Sequence, residues 1–127
     1  MPNREIEKNT NMNQKKKFHQ QLNEKIIDKN QCLLKWLEEW YLNKCNGEWE
    51  HNYGITINTL DNPGRDISID LIDTEVKLND LKWQYFEKSE KDWFGYKIEK
   101  NVFNASGDPT KLTYLISLFK EKVMILD

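Results

Sequence analysis

The chain is poor in the residues that most enzyme chemistry requires. Among its 127 residues are two histidines, two cysteines, five glycines and three prolines. There is no Cys-x-x-Cys or His-Glu-x-x-His pattern, no glycine-rich phosphate loop and no Gly-x-Ser-x-Gly elbow. His19, His51, Cys32 and Cys45 match no usual zinc-ligand spacing, so neither a metal nor a cofactor is expected. No apolar run approaches the ~20 residues of a membrane span. No apolar stretch follows Met1–Glu5, so a secretory signal is not expected. Cys32 and Cys45 suit a reducing compartment, and the expected location is the cytoplasm. On one helix the two would stand about 20 Å apart at ~1.5 Å per residue. A disulfide needs Cα atoms within ~7 Å, so free thiols are expected.

Aromatic rings are abundant by contrast. Five Trp, five Tyr and five Phe make up 12% of the chain. That ring surface argues for a folded core rather than a disordered chain. The length fits one domain. Charged residues are 31% of the total and the mean hydropathy is −0.86, so apolar material must be concentrated in a few elements. Charge is also uneven. Residues 1–30 hold seven basic and four acidic residues, net +3, whereas 31–127 hold twelve and seventeen, net −5. The expected organisation is a basic, partly disordered or helical extension over 1–30 and a single α+β domain over 31–127. An acidic body is a poor nucleic-acid binder and a good partner for a basic protein.

The hydrophobic pattern divides the chain further. From about Gln14 to Leu42, apolar residues recur at spacings of three and four, and Trp36, Leu37, Trp40 and Tyr41 form a broad stripe. This predicts one or two N-terminal helices, stopped near Asn43–Gly47. Trp49, His51, Tyr53, Ile55, Ile57 and Thr59 then alternate with polar residues, as do Ile67, Ile69 and Leu71. Period two predicts two half-buried strands, joined through Asp61-Asn62-Pro63-Gly64 as a hairpin with a type II turn. Short strands are expected near Val76–Leu78 and Trp83–Phe86, then a strand over Trp93–Glu99, with Asn104–Gly107 as loop. Asp108 as N-cap and Pro109 in the first turn open a final helix over about 109–122. The predicted class is α+β: an N-terminal helix, an antiparallel β-meander sheet, and a C-terminal helix packed on the sheet.

The carboxylates are the candidate functional groups. Glu48 and Glu50 share one face of the expected strand, and across the hairpin that face meets Asp66, Ser68 and Asp70. With Asp61 at the turn this makes an acidic surface without an enclosed pocket. Three classes of function follow. A recognition surface for a basic partner would use Glu48, Glu50, Asp61, Asp66 and Asp70, with His51, Arg65, Trp49 and Trp93 as neighbours or aromatic anchors. The alternation also directs Trp49 towards the core with Ile55 and Ile57. A small hydrolase or sulfur-transfer enzyme would use Cys45 or the Glu48/Glu50 pair. A nucleic-acid accessory protein would use the basic segment 1–30.

Several of these stretches carry a resemblance. Trp40-Tyr41, then Asn46-Gly47-Glu48-Trp49-Glu50-His51-Asn52-Tyr53-Gly54-Ile55, then Thr59-Leu60-Asp61-Asn62-Pro63-Gly64 resemble the signatures of the immunity protein 53 family, in order and at close spacing. Asp92-Trp93 and Gly107-Asp108-Pro109 agree with it, and the resemblance spans Leu33 to Phe119. The chain departs from the family pattern at Arg65, where that pattern has tryptophan after Asn-Pro-Gly. The resemblance implies a cytoplasmic bacterial antidote that binds a cognate polymorphic toxin and needs no catalytic residue. A basic nuclease domain suits the acidic body as that toxin. Neither nucleic acid nor membrane is an expected partner, and a monomer and a small homo-oligomer both remain open.

Overall fold

The structure, a computed structural model, describes residues 30–125. The expectations for the basic extension fall almost wholly outside them. Three helices and a five-stranded antiparallel sheet are found among the described residues. Helix α1 covers 30–44 and α2 covers Trp49–Asn52. Strands β1 (Ile55–Leu60), β2 (Gly64–Asp70), β3 (Leu81–Ser89), β4 (Asp92–Glu99) and β5 (Val102–Gly107) follow, and α3 (Leu112–Met124) ends the order. The α+β class is as expected. Cys32 and Cys45 are free thiols.

The sheet order is β1-β2-β5-β4-β3. This corrects the simple meander. A hairpin (β1–β2) and a three-stranded meander (β3–β4–β5) are joined so that β5, the last strand, becomes the centre. Asn104–Gly107 is therefore strand and not loop. Its polar residues are tolerated there because they face away from the helices, and Phe103 and Ala105 face the core. Conversely, 76–80 forms no strand. That segment is held instead by Asn101, whose amide nitrogen donates to the carbonyls of Leu71 and Val76 at 3.0 and 2.8 Å and whose side-chain oxygen accepts from Leu78 N–H. Lys100 and Asn101 both have positive φ, the requirement of a two-residue type I′ hairpin turn between β4 and β5.

One face of the sheet is built by alternation. Ile57, Ile67, Ala105 and Tyr96 lie in one cross-strand row, and Ile55, Ile69, Phe103, Ile98 and Leu81 in the next. Helix α3 covers this face with Leu115, Ile116, Phe119 and Val123, the stripe expected of an amphipathic helix. Phe119 is the junction of the layers. Its ring centroid lies 5.3 Å from Phe103 of the sheet, and 4.9 and 5.9 Å from Trp40 and Trp36 of α1.

Four further expectations change in the structure. Trp49–Asn52 is helical, so β1 begins only at Ile55. The loop between β1 and β2 is residues 61–63, with a cis Asn62–Pro63 bond, and Gly64 already belongs to β2 without positive φ. Gly64 is required there by crowding: a Cβ would stand 2.8 Å from the Gly107 carbonyl oxygen. Helix α3 begins at Leu112, because Pro109 and Thr110 form a turn around Asp108 first.

Candidate functional site

The opposite face of the sheet is covered by no described element. Its strands present Asp66, Ser68 and Asp70 from β2, Asn104 and Ser106 from β5, Trp93, Gly95 and Lys97 from β4, and Tyr85 and Glu87 from β3. The register fixes this set: Asp66 opposes Ser106, Gly95 opposes both Ser106 and Tyr85, and Glu87 opposes Trp93.

The acids predicted as one surface are dispersed and mostly engaged. Ser106 Oγ donates to Asp66 Oδ1 at 2.6 Å, and Asn104 Nδ2 approaches both Asp66 oxygens at 3.3 and 3.4 Å. Asp70 Oδ2 accepts the Gly54 N–H at 3.1 Å and Asp70 N–H donates back to the Gly54 carbonyl at 3.0 Å. This closes the α2–β1 junction, where Gly54 has φ +149°. Glu50 does not share a strand face with Glu48. It accepts the backbone N–H groups of Asn46 and Gly47 at 2.8 and 2.7 Å, while Asn46 Oδ1 accepts from Glu48 and Trp49 N–H at 2.9 Å. Such reciprocal capping satisfies donors that a helix start leaves open. Hydrogen bonds from its own backbone N–H and from Asn46 and Gly47 hold the Glu50 carboxyl below its ordinary value. The Asn-Gly-Glu-Trp-Glu-His stretch is thus a helix-starting device. Its purpose is visible in Trp49, only 2% exposed, which packs edge-on to Trp40 and against Tyr41. Glu48, His51 and Asp61 are exposed.

Arg65 takes its place by the same alternation. It lies on the Ile67 side of β2, and its Nε donates to the Pro109 carbonyl at 3.2 Å. It therefore braces the turn that leads into α3 and does not join Asp66 and Asp70. Cys45 is also engaged: its thiol donates to the Tyr41 carbonyl at 3.3 Å, and its side chain packs on the core. No cluster of three or more potential metal ligands occurs among the described residues.

Trp93, by contrast, is part of a larger surface. The Tyr85 ring lies 6.2 Å from it on the uncovered face. Trp83 lies over Gly95: a Cβ there would meet Trp83 Cζ2, and would stand 2.8 Å from Cε2. The glycine is the space in which the indole lies. Trp83 and Tyr85 remain 43% and 49% exposed. The strand pattern places these two residues on β3 but offers no reason to prefer them as contacts, because a buried strand would read the same way.

Beneath Trp93 is an ionic cluster built on one buried acid. Asp108 is fully buried and accepts from Thr110 N–H and Oγ1 at 2.9 and 2.6 Å, from Trp93 N–H at 3.0 Å and from Lys111 Nζ at 2.7 Å. Lys111 also reaches Asp92 at 2.8 Å. Burial by itself would raise the Asp108 carboxyl. The Lys111 ammonium, Thr110 and the Trp93 N–H outweigh it and hold the group well below the ordinary carboxylate range. Asp108 and then Asp92 raise Lys111 in turn. Four donors on one buried carboxylate fix the start of β4, and with it the aromatic surface.

A cleft opens at this end of the face. It is lined by Asn62 and Pro63 of the β1–β2 loop, Tyr85, Glu87, Trp93, Glu90 and Lys91, and has a volume of about 510 Å³. The Tyr85 hydroxyl donates to Glu87 Oε1 at 3.0 Å. Desolvation, and then the Glu87 carboxylate, raise the Tyr85 hydroxyl above its ordinary value.

Comparison with known proteins agrees with the motifs. The model of the family described as Immunity protein 53 matches residues 34–124. No curated protein and no solved structure matches the chain. The match covers most of the chain, and the chain belongs to this family.

Proposed function

We propose that this member of the Immunity protein 53 family neutralises a cognate polymorphic toxin by stoichiometric binding in the cytoplasm, without catalysis. The observation that carries the reading is the aromatic surface of exposed Trp83 and Tyr85 beside half-buried Trp93, on a sheet face that no described element covers. Rings of this kind concentrate binding energy at protein interfaces, and an exposed apolar patch is a common mark of one. The positions are set by backbone pairing and by a buried cluster, so little ordering remains to be done on binding. The net charge of −5 over 31–127 favours a basic toxin domain, such as a nuclease, through electrostatic steering. Glu48 and Asp61, both exposed, add to that field without lying on the aromatic surface.

The alternative enzymatic reading loses support from the geometry of its own residues. Cys45 is committed to the Tyr41 carbonyl and Glu50 to two backbone N–H groups.

The test is co-expression with a candidate polymorphic toxin domain, followed by pull-down and a growth assay. Wild type is expected to form a one-to-one complex and restore growth. Trp83→Ala with Tyr85→Ala is expected to lose both while remaining folded. Full protection by that double variant would move the contact elsewhere. Protection without a complex would overturn stoichiometric binding.

A further inference from the structure

We propose that the cleft at the β3–β4 turn is a receptor for one cationic side chain of the partner protein, with an arginine guanidinium as the preferred occupant. The inference deepens the toxin-binding reading and takes its partner from it. Its grounds are the cleft's own composition. Tyr85 and Trp93 supply aromatic ring surface, while Glu87 and Glu90 supply carboxylates in the same 510 Å³ cleft. Among the described residues neither carboxylate has an ion-pair partner, and Glu87 is oriented by the Tyr85 hydroxyl at 3.0 Å. A cation gains from the ring quadrupole and from the carboxylates together. A neutral or apolar occupant would gain from the rings alone and would desolvate two acids at a cost. Arginine is favoured over lysine because its plane both stacks on rings and pairs with a carboxylate through two N–H groups. Asp92, the remaining acid beside the turn, is already paired with Lys111. Lys91 is the one cationic side chain among the described residues that line the cleft, and it opposes a cationic ligand.

The experiment is an NMR titration of the full chain with acetyl-Gly-Arg-Gly-amide, read at the Trp93 indole N–H. The controls are the same peptide with lysine and with citrulline, the neutral isostere of arginine. The arginine peptide is expected to give a saturable shift at millimolar concentration. The citrulline peptide is expected to bind at least about tenfold more weakly, with lysine between them. Glu87→Gln and Glu90→Gln should each weaken the arginine response several-fold, and Lys91→Gln should strengthen it. The opposite sign of the last variant separates a charge effect from loss of fold. An equal response to citrulline, or no Trp93 shift up to about 50 mM peptide, overturns the proposal. No toxin is present, so failure here leaves neutralisation standing. A Trp83→Ala/Tyr85→Ala double variant that still protects would overturn the location of the toxin contact, whatever the peptide does.

Discussion

Asp108 and Trp93 hold each other in both directions. The Asp108 backbone N–H donates to the Trp93 carbonyl at 3.1 Å, and the Trp93 N–H donates to Asp108 Oδ2 at 3.0 Å. The first bond extends the β4–β5 pairing by one step. The second ties that step to the turn before α3. A ring beside the exposed Trp83 and Tyr85 is thereby positioned by a fully buried acid.

Breaking this clasp should be costly. Asp108→Ala leaves Lys111 and three N–H or O–H donors without their acceptor, and a loss of about 3 kcal/mol is expected. Urea unfolding measures it. The sign of the pH effect follows from the directions of the shifts. Asp108 is depressed in the folded state, so its contribution is present above the unfolded value near 4 and fades as pH falls through the folded value. Lys111 is raised, so its contribution is present below its unfolded value and fades as pH rises through the folded one. Acid unfolding of Asp108→Ala should be the shallower of the two.

Gly95 and Trp83 should couple. Gly95→Ala drives a methyl group into the Trp83 indole, and overpacking of this kind costs about 1–3 kcal/mol. In a Trp83→Ala background most of that cost should vanish, apart from the 2.9 Å approach to the Gln84 carbonyl. A double-mutant cycle measured by denaturant unfolding checks it. Additive costs would show that the indole does not occupy the space over Gly95.

Two aromatic substitutions should behave in opposite ways. Phe119→Ala removes the ring that joins α1, α3 and the sheet, at about 3–5 kcal/mol of stability. Tyr85→Ala should leave the melting temperature nearly unchanged and weaken the toxin complex about tenfold or more. Calorimetry and a binding assay run on the same preparations separate the two roles.

Asn46→Ala should loosen α2 by about 1 kcal/mol, the usual worth of a helix-start acceptor. Amide exchange should then quicken first at Glu48 and Trp49, whose N–H groups it releases. Unchanged exchange there would deny the capping role.

Deletion of residues 1–30 should leave toxin protection intact, because the proposed contact lies on β3, β4 and the loops beside them. A growth assay with the shortened chain is the measure. Raising the salt concentration should weaken the complex by slowing association, since steering by the −5 body is screened.

Much of this was legible in the residues alone. Alternation placed Ile67 and Ile69 on one face and Asp66 and Ser68 on the other, and Phe94, Tyr96 and Ile98 together on β4, because side chains on a strand must alternate. The α3 stripe and the family signatures needed no structure either. Alternation failed where capping or strand pairing decided the outcome. Trp49–Tyr53 alternates like a strand, yet Asn46 and Glu50 start a helix there and Trp49 wedges between Trp40 and Tyr41. Asn104–Gly107 has the composition of a loop, yet pairing on both sides with β2 and β4 makes it the central strand.

The same division holds for function. The immunity signatures are a property of the residue order, and they determined the family. Which acids are free and which are spent on the fold is not such a property. A carboxylate is identical in sequence whether it caps a helix, as Glu50 does, or stands beside a cleft, as Glu90 does. Only the packing that brings a donor within hydrogen-bond distance, or leaves it away, could decide between them.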